Sequence, residues 1–403
     1  MNLIDALSAQ TSLNESAPCA RSFDVGGITD TIQRALASAG LDTQSGPMKG
    51  VTDTVHQALS RAGLTQRSAA TDPQDAIVAG ASRGIFTPDS HMDSPRFGRT
   101  APAEQTYPGV FVSRSFTNDA GTRTYKLYIP ASYLEQSGER VPLVVMLHGC
   151  TQSPDDFAAG TRMNELAEKH GFLVAYPAQA PNANGSKCWN WFRAEDQSRD
   201  RGEPSLIAGI TREVASSYRV DERRIFVAGL SAGAAMAVIL GATYPELYAG
   251  VGAHSGLPYG AAHDMSSAFG AMQGGMAPTG ERNPLAPQTP HRRRFAQSVP
   301  TIVFHGDCDR TVDARNGTAI VEQATMVGTG EMRLRASVDE VAASDGRSFI
   351  RTVYADMTNQ PVVEHWVIHG AGHAWSGGSP RGSFTDARGP DASVEMIRFF
   401  YWQ

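Results

Sequence analysis

A Gly-x-Ser-x-Gly pentapeptide, from Gly229 to Gly233, constrains the fold of this chain more than any other stretch. It follows an apolar run at 225–227 and leads into residues 234–240, which are rich in good helix formers. A serine placed this way between a strand and a helix is typical of a nucleophile elbow. The tight turn strains the serine backbone, and glycines on either side avoid collisions. We therefore predict that Ser231 is a catalytic nucleophile at the carboxyl edge of a sheet.

Strand and helix signals alternate along the chain after residue 107. Apolar or alternating runs predict strands at 123–130, 142–147, 172–176, 224–227, 248–253, 301–304 and 362–368, and helical patterns cover 155–170, 205–218, 234–240 and 391–401. The run 142–147 is continuously apolar, as expected for a strand covered on both faces, whereas 123–130 alternates like a half-buried edge strand. The alternation predicts the α/β class: an α/β-hydrolase fold with a mostly parallel sheet and helices on both faces. The Gly- and Pro-rich insertion 257–299 is either a lid or surface decoration.

Residues 1–64 differ from the rest and carry an internal repeat, 27–41 and 50–64. Each copy reads as a short amphipathic helix, with a Thr-Asp start and a Gly-Leu end. Isolated helices shorter than roughly 12–15 residues are marginal, so we expect the two helices to dock on the body of the protein or on each other. The alternative is a device for docking on a partner or an apolar particle surface, or for self-association. Residues 65–106 are polar and aperiodic, which predicts a partly disordered linker. The hydrolase domain is thus predicted at 107–403, preceded by a small helical segment.

Composition excludes several classes of protein. The net charge of −6 gives no support for binding nucleic acid or anionic membranes, and no apolar run is long enough for a transmembrane helix. The first residues lack a basic and apolar leader pattern, and four cysteines are too few for a disulfide scaffold. These features favour the cytoplasm, with secretion as the alternative. No cluster of side chains at metal-ligand spacing occurs, so neither a metal nor a cofactor is expected.

Two aspartates follow the predicted strand 301–304 and could orient a catalytic base. In this fold the acid lies between the serine and the histidine along the chain. Asp307 and Asp309 both fall in the turn after the strand, so either could approach Ser231. A turn or cap role is the competing interpretation for each of them.

Three histidines lie downstream of these aspartates. His365 and His369 belong to the apolar stretch of a strand and are expected to be core or edge residues. His373 lies in a Gly-Ala-Gly-His loop directly after that strand, where a base can reach across the sheet edge. We therefore predict that His373 is the general base.

The tetrahedral intermediate needs two converging backbone N–H donors. One is predicted at Ala232, the residue after the nucleophile, and the other at Cys150, in the loop after the strand 142–147. Gly149 allows close approach of the backbone there. A bridge between Cys150 and Cys188 is possible, but free buried thiols are the default for a cytoplasmic protein.

Residues 107–403 resemble the poly(3-hydroxybutyrate) depolymerase-like esterases, whose relatives include feruloyl and acetylxylan esterases. The Cys-Trp-Asn-Trp-Phe and Gly-His-Ala-Trp blocks are more specific than the elbow, which all α/β-hydrolases share. The residues that carry the resemblance are Leu147-His148-Gly149-Cys150-Thr151-Gln152, Cys188-Trp189-Asn190-Trp191-Phe192, Gly229-Leu230-Ser231-Ala232-Gly233, His305-Gly306-x-x-Asp309-x-x-Val312, Gly372-His373-Ala374-Trp375-Ser376-Gly377-Gly378 and Gly389-Pro390-Asp391-Ala392-Ser393.

The resemblance implies a triad of Ser231, Asp309 and His373, since the family's acid lies three residues before the valine. It also implies a carboxylic ester as substrate. Trp189, Trp191 and Trp375 lie in motif loops, and we predict that they line the substrate pocket, with packing in the core as the alternative.

These observations predict a serine esterase that cleaves short-chain oligomers or polymers of 3-hydroxyalkanoates. A feruloyl or acetylxylan-type carbohydrate esterase is the alternative within the class, and a peptidase on the same fold is less favoured. A non-catalytic binding module with the hydrolase fold is the alternative from another class.

Overall fold

The computed structural model describes residues 108–135, 138–274, 299–327, 330–331, 333–342 and 346–403. The predicted helical repeat in 1–64, its suggested role in docking or self-association, and the predicted linker at 65–106 lie outside these residues. Within the described ranges, no helix combines the length and apolar character that crossing a membrane requires.

A ten-stranded sheet organises the described residues. In chain order the strands are β1 (Val110–Asn118), β2 (Gly121–Ile129), β3 (Val141–Leu147), β4 (Leu173–Pro177), β5 (Val220–Leu230), β6 (Gly250–His254), β7 (Thr301–Gly306), β8 (Met326–Val327), β9 (Gly330–Glu331), β10 (Arg335–Val341), β11 (Phe349–Ala355), β12 (Pro361–Ile368), β13 (Trp375–Ser376) and β14 (Thr385–Asp386). The large sheet has the order β1-β2-β4-β3-β5-β6-β7-β12-β11-β10, while β8 with β9 and β13 with β14 form two-stranded sheets.

The six central strands, from β4 to β12 in this spatial order, are parallel, and antiparallel strands close the sheet at both sides. The largely parallel sheet confirms the predicted α/β-hydrolase architecture. The strand predicted at 123–130 is β2, but it is not an edge strand, because β1 pairs with it along its full length. The opposite edge is β10, whose exposed, polar residues gave no periodic signal in the sequence.

Helices cover both faces of the sheet. They are α1 (Ala131–Glu135), α2 (Pro154–Thr161), α3 (Met163–His170), α4 (Gly202–Ser217), α5 (Ala232–Thr243), α6 (Met265–Met272), α7 (Arg315–Thr325) and α8 (Ala392–Phe400). Residues of α4, α5 and α7 join one buried apolar cluster, and residues of α2, α3 and α8 join the other. In β3, Val145 packs into the first cluster and Val144 into the second, which explains its continuously apolar sequence.

Two local features differ from the sequence prediction. The single helix predicted at 155–170 is two helices, because Arg162 adopts a left-handed conformation with φ 55° between α2 and α3. The insertion predicted at 257–299 contains α6, which begins with a capping box formed by Asp264 and Ser267. Its segment 275–298 lies outside the described residues, so its interpretation as a lid or as decoration stays open.

Candidate active site

The turn at Ser231 has the strained geometry that the pentapeptide predicts. Ser231 has φ 58° and ψ −122°, a conformation that L-residues rarely adopt, and it connects β5 directly to α5. A Cβ at Gly233 would collide with the main chain of Leu147, and one at Gly229 would collide with the main chain of Gly233. Both glycines are therefore required because the end of β3 packs directly against the start of α5.

The loop after β3 lies beside the elbow. Leu147 of β3 is in register with Gly229 of β5, so both strands end at the same place on the sheet edge. Among the described hydrogen bonds, neither the Cys150 N–H nor the Ala232 N–H donates to a protein acceptor. Two main-chain donors therefore remain available at this edge, one from each predicted residue.

An aspartate and a histidine pair at the same edge of the sheet. His373 Nδ1 donates to Asp309 Oδ2 at 2.7 Å, and Asp309 Oδ1 accepts the N–H groups of Thr311 and Val312, both at 2.9 Å. Burial alone raises the pKa of Asp309, but the hydrogen bond and charge of His373, with the other donors, hold that pKa below its usual value. Asp309 is therefore an ionised acceptor that fixes the orientation of the His373 ring.

The other candidate aspartate forms a separate pair. His369 Nδ1 donates to Asp307 Oδ2 at 2.8 Å, and the Gly370 N–H donates to Asp307 Oδ1 at 2.7 Å. The structure thus distinguishes the two aspartates that the spacing alone left open, because only Asp309 contacts His373. His365 lies in the core, as expected, with 1% of its surface exposed.

Ser231 lies at the same sheet edge as this pair, although no described hydrogen bond joins its hydroxyl to His373. Ser231 follows β5, whereas Asp309 follows β7 and His373 follows β12, all strands of the parallel centre. Catalytic hydrogen bonds often shorten only when substrate binds, so this separation is compatible with a triad.

Two buried histidines near the elbow escaped the sequence analysis. The carbonyl of His254, at the end of β6, accepts the Ser231 N–H at 2.9 Å, and its Nε2 accepts the Ser376 N–H at 3.0 Å. Burial lowers the pKa of His254 to about 3, so the ring is neutral and can accept this bond. His148 donates from Nδ1 to the Gly149 carbonyl at 2.7 Å, in the loop after β3 that contains the predicted oxyanion donor. In the sequence, His148 was identified only as one residue of a quoted motif. His254 was not singled out, and its only distinguishing feature there is that it follows an apolar run.

Cys150 and Cys188 form a disulfide, which corrects the default expectation of two free thiols. Among the described residues, no cysteine is free. The bridge joins the loop after β3, which contains Cys150, to the Cys-Trp-Asn-Trp-Phe block, which begins at Cys188. The Thr151 N–H also donates to the Ser186 carbonyl at 2.7 Å, so the loop is held both at its predicted oxyanion donor and at the next residue.

The three tryptophans are buried, so the structure does not support the prediction that they line an open substrate pocket. Trp189 is fully buried and donates from Nε1 to the His148 carbonyl at 3.1 Å. Trp375 is 1% exposed, stacks on His254 and donates to Ser393 Oγ at 3.0 Å, while Trp191 is 6% exposed in the core. This burial agrees with packing in the core, the alternative interpretation, and a contact of these indoles with substrate stays a prediction.

A network of buried polar side chains contacts the Cys-Trp-Asn-Trp-Phe block through its asparagine, Asn190. Glu203 accepts the main-chain N–H and the side-chain amide of Asn190, both at 2.7 Å, and also pairs with Arg123. Asp196 accepts the Glu203 N–H at 2.7 Å and is 4% exposed. Burial, followed by the nearby charge of Glu203, raises the pKa of Asp196 from 3.8 to about 7.

This raised pKa predicts a pH-dependent effect of Asp196→Asn on stability. Between pH 4 and 7 the folded protein retains a proton that the unfolded chain has released, so wild type loses stability as pH rises through this range. Asn cannot ionise, and its carbonyl can still accept the Glu203 N–H. The substitution should therefore stabilise the protein by roughly 2–3 kcal/mol more at pH 8 than at pH 5, measured by urea unfolding. The exposed Asp119→Asn should show no such difference, and an equal effect of Asp196→Asn at both pH values would contradict the prediction.

The described residues contain no group of three or more histidine, cysteine or acidic side chains arranged to hold a metal ion.

The parallel sheet, the strained elbow and the aspartate–histidine pair at its edge define an α/β-hydrolase. A model of the family described as Esterase PHB depolymerase matches residues 123–344. Because this match covers more than half of the chain, the chain belongs to that family.

The named relatives include two kinds of esterase, a polyhydroxyalkanoate depolymerase and an acetylxylan esterase. The chain is 33% identical over 275 residues to "Poly(3-hydroxyalkanoate) depolymerase C" of Paucimonas lemoignei, covering 67% of this chain and 63% of that protein. It is 34% identical over 152 residues to "Probable acetylxylan esterase A" of Aspergillus fumigatus, covering 38% of this chain and 39% of that protein. The chain thus spans only part of the length of both curated relatives. An acetyl xylan esterase from Aspergillus awamori has the same fold, with a TM-score of 0.51 and 18% identity over 72% of this chain and all of that chain.

Proposed function

We propose that this protein is a serine esterase that hydrolyses carboxylic esters through an acyl-enzyme on Ser231. The observation that carries the proposal is the hydrogen bond from His373 to the buried Asp309, on the sheet edge where the strained serine turn also lies. A serine hydroxyl needs a base held in one tautomer, and an ionised aspartate at Nδ1 supplies that orientation. The family match supports the same reaction class.

Each residue then has one task in the reaction. His373 takes the proton of Ser231 as its oxygen attacks the ester carbonyl, and returns that proton to the departing alcohol. Asp309 stabilises the imidazolium that forms between these steps. The N–H groups of Cys150 and Ala232 stabilise the oxyanion, at roughly 3–4 kcal/mol for each donor. Water, activated by the same histidine, then releases the acid and regenerates the serine.

We propose a 3-hydroxyalkanoate ester, as an oligomer or a polymer, as the substrate. The alignment with the polyhydroxyalkanoate depolymerase extends over 275 residues, against 152 for the acetylxylan esterase. An acetylxylan-type or feruloyl-type activity is the second candidate, supported by the acetylxylan esterases among the relatives. A non-catalytic binding module is disfavoured, because the elbow and its aspartate–histidine pair are complete.

A substrate panel tests the proposal. The panel contains p-nitrophenyl butyrate, 3-hydroxybutyrate oligomers, acetylated xylo-oligosaccharides and methyl ferulate, and kcat/KM is measured for each. We expect turnover of the chromogenic ester and the highest kcat/KM on the hydroxybutyrate oligomers. A higher kcat/KM on the acetylated xylo-oligosaccharides or on methyl ferulate would instead support the second candidate, an acetylxylan-type or feruloyl-type esterase. No turnover of any ester, in protein shown to be folded, would favour the binding module.

We also propose that the enzyme works in an oxidising compartment. Disulfides persist in exported proteins and are reduced in the cytoplasm, and Cys150, the predicted oxyanion donor, is bonded to Cys188. This pairing supports secretion, the alternative to the predicted cytoplasmic location. Fractionating the producing cells and alkylating the protein under non-reducing conditions tests it: an entirely cytoplasmic protein with both thiols alkylated would contradict it.

A further inference from the structure

His305 is a buried histidine to which the proposed reaction gives no task. It lies near the end of β7, its side chain is fully buried, and it opens the motif His305-Gly306-x-x-Asp309-x-x-Val312. The motif contains the proposed catalytic acid. Its first and last residues therefore need a physical explanation of their own.

Hydrogen bonds connect His305 to Asp309 through Val312. His305 Nε2 bonds to the Val312 carbonyl at 2.8 Å, and the Val312 N–H donates to Asp309 Oδ1 at 2.9 Å. His305 Nε2 is also 3.6 Å from Asp309 Oδ2, the oxygen that accepts the His373 N–H. The His305 imidazole thus holds the carbonyl of Val312, and the N–H of Val312 holds the Asp309 carboxylate.

The protonation state of His305 follows from these contacts. The Val312 carbonyl can only accept, so Nε2 carries a proton and is the donor. Burial lowers the pKa of His305, which keeps the ring neutral, so the other ring nitrogen is unprotonated. The proton on Nε2 is therefore donated to the Val312 carbonyl, and the neutral ring lies beside the Asp309 carboxylate without placing a second full charge beside His373.

The opposite edge of the ring is enclosed. Gly317 of α7 packs against it so closely that a Cβ there would lie 2.9 Å from His305 Nδ1. Nδ1 is buried and has no hydrogen-bond partner among the described residues. A buried nitrogen without a partner costs stability, so packing alone does not explain a histidine at this position.

We propose that His305 is a positioning residue for the catalytic acid: it holds the Asp309–Val312 turn through the Val312 carbonyl and packs its Nε2 edge 3.6 Å from the carboxylate, so that Asp309 keeps the His373 ring in its reactive orientation. This inference rests on the proposed esterase function. In this proposal the two ends of the motif act together. His305 donates a hydrogen bond to the Val312 carbonyl, and the Val312 N–H donates one to Asp309.

Two substitutions and a matched control test the proposal. His305→Leu removes the donor, whereas His305→Gln places an amide N–H at a similar reach. We expect His305→Leu to lower kcat on p-nitrophenyl butyrate by about 10- to 100-fold with KM nearly unchanged, since small misplacements of catalytic groups have effects of this size. His305→Gln should retain most of the activity. The control is His365→Leu, which replaces an equally buried histidine on the adjacent β12 and should retain wild-type kcat.

A spectroscopic measurement tests the geometry independently of catalysis. The proton shared by His373 Nδ1 and Asp309 should give a downfield resonance in the resting enzyme. His305→Leu should move or broaden that resonance, while His305→Gln and His365→Leu should leave it in place. Equal losses of kcat in both leucine variants, or an unchanged resonance in His305→Leu, would overturn the proposal. If wild type hydrolyses no ester, the proposed function fails, and the resonance still decides whether His305 positions the pair.

Discussion

Replacing Ser231 with alanine should lower kcat on p-nitrophenyl butyrate by about 10⁶-fold, because loss of the nucleophile removes the acyl-enzyme route. The variant should fold normally, since alanine is smaller than serine and leaves Gly229 and Gly233 at the two close contacts of the turn. Initial rates with enzyme at high concentration, and thermal unfolding in parallel, measure both quantities.

Ser255 offers a matched control for this experiment. It follows the adjacent strand β6, is buried, and also has a positive φ, of 50°. Ser255→Ala should lower kcat by less than about 10-fold, because the reactive serine is defined by its turn and partners, and not by strain alone. If Ser231→Ala retains the wild-type rate, the assignment of the nucleophile is wrong.

Replacing Asp309 with asparagine should lower kcat by about 10⁴-fold while leaving KM little changed. The carboxylate accepts the His373 Nδ1 proton at 2.7 Å, and its pKa is held below the usual value, so it is ionised throughout the neutral range. An amide at this place can present its NH₂ group to the ring and favour the wrong tautomer. The same change also removes the negative charge that stabilises the imidazolium.

Asp307→Asn is the control for charge and position, because Asp307 is only two residues away and also binds a histidine. Its partner is His369, and an asparagine carbonyl can still accept the Gly370 N–H. We expect a loss of less than about 10-fold, since His373 keeps its own carboxylate. The reverse ranking of the two variants would move the catalytic acid to Asp307.

Local patterns sufficed for the features that depend on neighbouring residues along the chain. The apolar run of β3 required cover on both faces, and its alternate residues do pack into the two clusters. The Gly-x-Ser-x-Gly spacing required a strained turn, and Ser231 has that conformation. The edge strand β10 gave no comparable signal, because a mostly exposed strand needs no apolar alternation. The strand β1 was also not predicted, although its Val112 and Phe116 pack against the core.

Contacts between distant segments needed the tertiary structure. The order of residues could not choose between Asp307 and Asp309, because both follow the same strand within one turn. Only the placement of β7 beside β12 assigns Asp307 to His369 and Asp309 to His373. The tryptophans illustrate the same limit, since a motif loop predicts neither the burial of Trp189 nor the stacking of Trp375 on His254.

The sequence by itself therefore determined the strands of the parallel centre of the sheet, the elbow and the choice of Ser231 and His373 as candidates, because periodicity and turn sterics act over a few residues. The tertiary structure decided which aspartate pairs with His373, that Cys150 is bonded to Cys188, and that His305 bonds to the Val312 carbonyl. These features depend on side chains that the fold brings together from separate strands and loops, and no local rule fixes such distances.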